Sequence, residues 1–284
     1  MILSYHPCFE ADMNLLCAGR EPEPDDLRAI QAADAVILPQ GCGQSLYKMA
    51  RSNCRHVFPN FDARFSNRGK IGQTQLFQKH QMWHPKTEIY RGISAFFERY
   101  PNFPKQPIFD FPFVFKFDWG GDGDLVYLIQ SVDHLADVLK TAGAFEASGQ
   151  KGFIVQEYIP ADNRSLRVVV VGKTFFSYWR IQHQADHFLS NIAKNATIDY
   201  DLHPELQEKA VLSVKEFCSR TKINLAGFDI LFSSETSVNT PLFLEINYYF
   251  GRRGLGGSEK FYGLLTREIL SWIESLGLGL EIEP

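Results

Sequence analysis

Residues 113–124 read Phe113-Val-Phe-Lys116-Phe-Asp-Trp-Gly120-Gly121-Asp-Gly123-Asp124. Phe113 to Phe117 is an apolar strand signal with a lysine inside it. An ammonium buried without a partner is costly, so Lys116 implies an anion unless its stem carries the charge out to water. The loop that follows is poor in side chains, and its backbone N–H groups can approach a polyphosphate closely. It lacks the Gly-Lys-Ser/Thr ending of a Walker loop. Nor does a helix follow it directly, as the dinucleotide fingerprint requires, because Leu125 to Ile129 reads as a returning strand. Taken alone, a glycine hairpin with a snorkelling lysine explains the stretch equally well.

Toward the C-terminus the pattern stays regular. Ser131 caps a helix over 132–140, and Phe153 to Tyr158 is a strand. Leu166–Gly172 and Thr174–Ile181 form a hairpin around Gly172-Lys173. An amphipathic helix covers 204–220, two apolar strands cover 224–232 and 242–246, and a helix over 259–276 closes the chain. Toward the N-terminus, Gln73 to Gln81 is helical, and five prolines between Pro85 and Pro112 predict loops and short elements. Strands at 2–5, 35–38 and 56–58, with a helix over 25–33, predict a small open α/β lobe in the first 65 residues.

Three further groups carry chemistry. Asp229 sits between Phe228 and Ile230 in a core strand, while Glu245 and Asn247, two apart in the next strand, share a face. Three oxygen donors on paired strands suit a hard cation such as Mg²⁺; polar residues on a solvent face are the alternative. Gln156-Glu157-Tyr158-Ile159 passes from strand to linker and offers backbone groups to a flat heterocycle, with Asp162 or Asn163 for ribose hydroxyls. Arg164, Arg167 and Arg180 supply guanidinium groups of the kind that stabilise a transferred phosphoryl group.

Composition sets the outer limits. The chain has 284 residues, 45% hydrophobic and 22% charged, with a net charge of −4; this is ordinary globular usage and argues against a nucleic-acid partner. Cys8, Cys17, Cys42, Cys54 and Cys218 are odd in number and lack Cys-x-x-Cys spacing, so reduced thiols are expected. The eight histidines show no ligand spacing. No signal peptide or membrane-length apolar run is read, which predicts a cytoplasmic protein without a membrane partner.

The order and spacing of these blocks resemble the ATP-grasp superfamily, in particular the RimK-like and glutathione synthetase-like carboxylate–amine ligases, from about Asn67 to Gly263. The resemblance rests on Pro112-Phe-Val-Phe-Lys116 with its glycine loop, on Val155-Gln-Glu-Tyr-Ile159 followed by Leu166-Arg167-Val and Gly172, and on Phe228-Asp229 with Leu244-Glu245-Ile-Asn247. It implies an α+β fold in which an N-terminal open α/β lobe (1–68) precedes a central lobe (69–160) and a C-terminal lobe (161–284) that together grip ATP. By resemblance Lys70 and Lys116 meet the α- and β-phosphates, and Gly120, Gly121 and Gly123 shape the cover. Asp229, Glu245 and Asn247 hold two Mg²⁺ ions, with Mn²⁺ as an alternative, and Arg167 and Arg180 face the γ-phosphate and acyl phosphate. The reaction implied is ADP-forming ligation of a small-molecule or peptide carboxylate to an amine. A kinase acting on a hydroxyl and a non-catalytic nucleotide-binding module are the rival readings, and homo-oligomerisation is left open. The chain departs from the family at Ser165, where an Asp is usual. It departs again at Tyr248-Tyr-Phe-Gly-Arg252-Arg253-Gly254, where small residues and Pro-Gly are usual. Arg252 and Arg253 are therefore candidates for an anionic substrate, with Tyr248 and Tyr249 as an aromatic wall, and Phe188-Leu-Ser-Asn191 resembles a substrate-side loop.

Overall fold

A computed structural model of the chain describes residues 1–105, 109–120, 124–183, 196–236 and 238–280. The described residues fold into three sheets, each built from one stretch of sequence. The first contains β1 (Ile2–Ser4), β2 (Met13–Asn14), β3 (Ala35–Ile37) and β4 (His56–Phe58) in the order β2-β1-β3-β4, all parallel. The chain crosses over through α1 (Pro24–Ala32) before β3 and through α2 (Gln44–Asn53) before β4, while residues 5–12 join β1 to β2. At the start of α1, Pro24 occupies a first-turn position whose N–H has no helical partner, and the Asp26 carboxylate accepts from the Glu23 N–H at 2.8 Å.

Two short helices, α3 (Asp62–Ser66) and α4 (Gly69–Lys79), lead to the second sheet. It comprises β5 (Thr87–Tyr90), β6 (Phe113–Phe117), β7 (Val126–Ile129) and β8 (Phe153–Glu157) in the antiparallel order β5-β8-β6-β7, with α5 (Ile93–Arg99) and α6 (Val132–Ala147). Strand alternation divides its faces. Phe113, Phe115, Phe117, Phe153 and Val155 pack with Phe96, Leu135 and Val138 into one core, where the Phe115 and Phe153 rings stack at 4.6 Å. Lys116, Ile154 and Gln156 are left for the opposite face.

The third sheet holds β9 (Arg164–Val171), β10 (Thr174–Ile181), β11 (Thr197–Asp199), β12 (Leu225–Leu231) and β13 (Leu242–Asn247), ordered β11-β10-β9-β12-β13. Its antiparallel ladders run without interruption except at β13. There Asp229 pairs with Glu245 but Ile230 pairs with Phe243, so Leu244 is an extra residue in a β-bulge. The bulge lets Phe243 face the core, against Phe217 of α7 (Pro204–Thr221), while Glu245 faces the other way beside Asp229. The last helix, α8 (Ser258–Ser275), buries Phe261, Leu265, Ile269 and Ile273.

Helix α4 joins this sheet through one side chain. The Gln73 amide donates to Ile246 O at 2.9 Å and accepts from Ile246 N at 2.8 Å, so it pairs with β13 as a neighbouring strand would. Just beyond α4, Trp83 O accepts from Phe243 N at 2.8 Å. The first sheet joins at the same place, because Gln40, which follows β3, donates to Tyr248 O at 2.8 Å. Several elements go beyond the sequence expectations: β2, α2, α3, β5, α5 and β11 were not expected, and α4 begins at Gly69 rather than Gln73. Gln73→Met keeps the shape and removes both bonds to Ile246. Urea unfolding is expected to show a loss of about 1–3 kcal/mol, and an unchanged midpoint would mean that the clamp contributes nothing.

Candidate active site

Two sheet faces bring most of the expected residues together. On the third sheet, Asp229 lies directly opposite Arg167 on β9 and Glu245 on β13. Its carboxylate accepts from Arg167 Nε at 2.5 Å and Nη2 at 3.1 Å, pairs with Arg180 Nη2 at 2.7 Å, and accepts from Asn247 Nδ2 at 3.0 Å. Burial alone would raise the Asp229 carboxyl, but the fields and hydrogen bonds of Arg167 and Arg180 outweigh it and hold the group below its ordinary value. Arg167 and Arg180, expected on a phosphoryl group, are thus held by the carboxylate expected on a metal. Arg180 also donates to Ser165 Oγ at 2.8 Å, which places the unusual serine within this network.

Glu245 has no hydrogen bond to its carboxylate among the described residues. Burial, then the charge of Asp229, raises its pKa against the pull of Lys70, Lys116 and Arg167. Two carboxylates and an amide oxygen are hard donors and fit Mg²⁺, with phosphate and water left to complete an octahedron. Among the described residues no cluster of three His, Cys, Asp or Glu side chains offers a protein-only cage.

The second sheet faces this group with Lys116. The side chain is 9% exposed, and its Nζ donates to Gln156 Oε1 at 2.7 Å. Burial depresses its pKa to about 8, with Lys70 lowering it further and Glu245 and Asp229 opposing. These mutual shifts mark one electrostatic cluster across the two sheets. Lys70 is the first-turn lysine of α4, and its Nζ reaches Gly120 O at 3.3 Å and Trp119 O at 3.5 Å. Asp118, just after β6, holds that helix end: its Oδ1 accepts from Ile71 N at 2.7 Å and its carbonyl from Lys70 N at 3.3 Å. Gly69 must be glycine there, since its φ is +67° and a Cβ would lie 2.3 Å from Asp118 Oδ1.

The remaining candidates divide. Glu157 ends β8 with its N–H bonded to Lys86 O, and Tyr158 and Ile159 begin the linker, which Ser234 N ties down at Pro160 O at 2.8 Å. Asp162 pairs with Arg164 at 3.1 Å. Arg253 lines a cleft of about 190 Å³ with Arg167, Arg180, Tyr178, Asn247 and Tyr249, and donates to Ala196 O. Its neighbour Arg252 is not among the residues that line this cleft; it lies over the rings of Tyr262 and Phe261 at 4.5 and 5.1 Å. The expected aromatic wall is also halved. Tyr249 borders the cleft, whereas Tyr248 is buried against Phe61. Gly121, Gly123 and Asn191 lie outside the described residues.

Asp118, Tyr178 and Gln182 were missed in the sequence. Tyr178 and Gln182 alternate with Arg180 on β10 and its extension, a signal that was available. Arg180 Nε and Gln182 Oε1 are buried without a hydrogen-bond partner among the described residues, a donor and an acceptor on the cleft-side strand. Asp118 has no local signal, because its partner is 47 positions away.

Comparison with known proteins agrees with this architecture. The model of the RimK-like ATP-grasp domain matches residues 67–273. A RimK-domain ATP-grasp protein from Sphaerobacter thermophilus superposes with a TM-score of 0.62 at 14% identity, over 94% of this chain and 98% of that one. D-alanine–D-alanine ligase from Bacillus anthracis gives 0.62 at 14% identity, over 93% and 86%. At such identities the likeness establishes the fold. An uncharacterised protein of Mycoplasma pneumoniae, an MG012 homologue, is 30% identical over 141 residues, which are 49% of this chain and 44% of that protein. The match thus spans less than half of that relative.

Lys116 carries a testable consequence of its burial. Below about pH 8 it is charged in both folded and unfolded chains, and the burial penalty stands in full. As pH rises from 8 toward 10.5 the folded chain sheds the proton first and the penalty fades. Lys116→Met is therefore expected to be more stable than the parent at pH 7, by about 1–3 kcal/mol, and to lose that advantage by pH 10. Melting curves at the two pH values check this, and a variant no more stable at pH 7 would show that the lysine is fully compensated.

Proposed function

Since the chain belongs to the RimK-like ATP-grasp family, we propose that it is an ATP-dependent ligase that phosphorylates a carboxylate with ATP and joins the resulting acyl phosphate to an amine. The observation that carries this reading is the convergence of Lys116 and Lys70 with Asp229, Glu245 and Asn247 between two sheets. The lysines would neutralise the α- and β-phosphates, and the linker 157–163 would receive the base and ribose. Asp229, Glu245 and the Asn247 amide oxygen would hold Mg²⁺, which offsets the charge of the triphosphate.

A carboxylate does not react with an amine in water because oxide is a hopeless leaving group. Transfer of the terminal phosphoryl group replaces it with phosphate, and the amine then displaces that phosphate. No protein nucleophile is needed; the chain positions the partners and balances charge. The cleft bordered by Arg167, Arg180 and Arg253 supports placing the carboxylate there, where Arg253 and the Arg180 Nε, without a partner among the described residues, add positive donors beside the Arg167–Asp229 pair. Tyr249, on its rim, would border the acceptor. We place lobe boundaries at 68/69 and 160/161 and an intracellular, cytoplasmic setting within the same proposal. Among the described residues no helix is long and apolar enough to cross a membrane.

Phosphate release with Mg·ATP and pooled amino acids, peptides and polyamines tests the reaction. Release that needs both a carboxylate and an amine is expected, whereas release with a hydroxyl compound alone would replace ligation by kinase chemistry. Glu245→Gln should abolish ADP formation with little change in melting temperature, because no hydrogen bond to its carboxylate is lost. Asp229→Asn should also destabilise the fold by about 3–5 kcal/mol, since two buried guanidinium groups lose their counter-charge. Full turnover in Glu245→Gln would sink the metal assignment.

A further inference from the structure

Thr87 begins β5, directly opposite Gln156 on β8, and Gln156 lies diagonally across from Lys116 on β6. The three side chains form a hydrogen-bonded row across the face of the second sheet that meets the third. Thr87 Oγ1 donates to Pro85 O at 2.6 Å and accepts from Gln156 Nε2 at 2.8 Å; Gln156 Oε1 then accepts from Lys116 Nζ at 2.7 Å. Both ends of the row are groups without a choice. A carbonyl oxygen can only accept, and an ammonium can only donate. The hydroxyl must therefore turn its hydrogen toward Pro85, and the amide must turn its oxygen toward Lys116. Gln156 is 3% exposed, so water cannot substitute freely for a lost partner.

We infer that Thr87 is a positioning residue of the nucleotide site, fixing the Gln156 amide so that Lys116 is held in place for the phosphates. This inference rests on the nucleotide reading proposed above. Lysine is a flexible chain with large rotamer entropy, and holding it before the ligand arrives lowers the cost of binding. Without the Thr87 hydroxyl, the Gln156 NH₂ group loses its buried acceptor, and the amide reorients or draws back from the lysine. Lys116 then loses the acceptor that favours its charged form, in a field where Lys70 opposes the charge and Glu245 and Asp229 support it.

The test is calorimetric titration of the full chain with Mg²⁺ and the non-hydrolysable analogue AMP-PNP, for the parent, Thr87→Val and Thr87→Ser, between pH 7 and 9. Valine keeps the shape and removes the hydroxyl. It should weaken binding about tenfold at pH 7, the equivalent of one such hydrogen bond, and affinity should fall off at lower pH than in the parent. Serine should restore both the affinity and the pH profile, which a role in packing alone would not allow. Equal affinity and an equal profile in the valine variant, or failure of serine to restore them, overturns the inference and leaves the nucleotide site intact. A parent that takes up no analogue overturns the nucleotide reading and this inference together. Melting curves establish that each variant is folded; Thr87→Ala serves in the same titration should Thr87→Val unfold.

Discussion

A carboxylate held between two guanidinium groups organises the third sheet. Arg167 and Arg180 share a sheet face with Asp229, whose carboxylate offsets the charge of both, while Leu166, Val168, Phe228 and Ile230 of the opposite face belong to the hydrocarbon core. Charge and register specify one another. Arg167 and Asp229 are cross-strand partners, so a slip of one residue would send the carboxylate into the Phe217–Phe243 core and leave the arginines alone. With β9 and β12 set in this way, β13 has one place to lie. The extra residue at Leu244 then turns Glu245 toward the cleft without taking Phe243 out of the core.

The opposing sheet solves a different problem. Among the described residues Lys116 has no carboxylate within bonding range, only a neutral amide, so it carries an incompletely compensated charge toward Glu245 and Asp229. Lys70 is also placed against a local preference, because the first turn of a helix disfavours a cation. Asp118 offsets this by accepting from the first N–H groups of α4, and the same residue borders the glycine loop. Neither lysine sits where its own element would favour it, and an arriving polyanion would relieve both.

The legible part of the fold was periodic. The apolar runs at 113–117 and 224–232, together with the 3.6-residue patterns over 204–220 and 259–276, gave the right elements because strands buried on both faces and helices buried on one leave those imprints. Helix α2 was hidden because its Gln-Ser-Leu-Tyr-Lys start reads as polar, and β5 because prolines surround it; both are made regular by contacts distant in sequence. In the candidate site, residues defined by charge inside apolar strands, such as Lys116 and Asp229, stood out. Residues that act by accepting a hydrogen bond from far away, such as Asp118, left no trace. The pairing of Asp229 with both arginines was also invisible, since the β9–β10 hairpin and β12, far along the chain, must align before those side chains meet. Arg252 and Arg253 could not be told apart until the backbone turned one toward the cleft and laid the other on two rings.

The Gln73 amide has a consequence beyond joining a helix to a strand. β13 is the last strand of its sheet, and an outermost strand with open N–H and C=O groups is a template on which a second molecule can add its own strand. Gln73 takes up both open groups of Ile246, and Trp83 covers the N–H of Phe243. The edge of β13 is thereby closed to strand addition at Phe243 and Ile246 by α4, which also carries Lys70, and by the residues just beyond it, so cover of the edge and placement of the lysine depend on one stretch of chain.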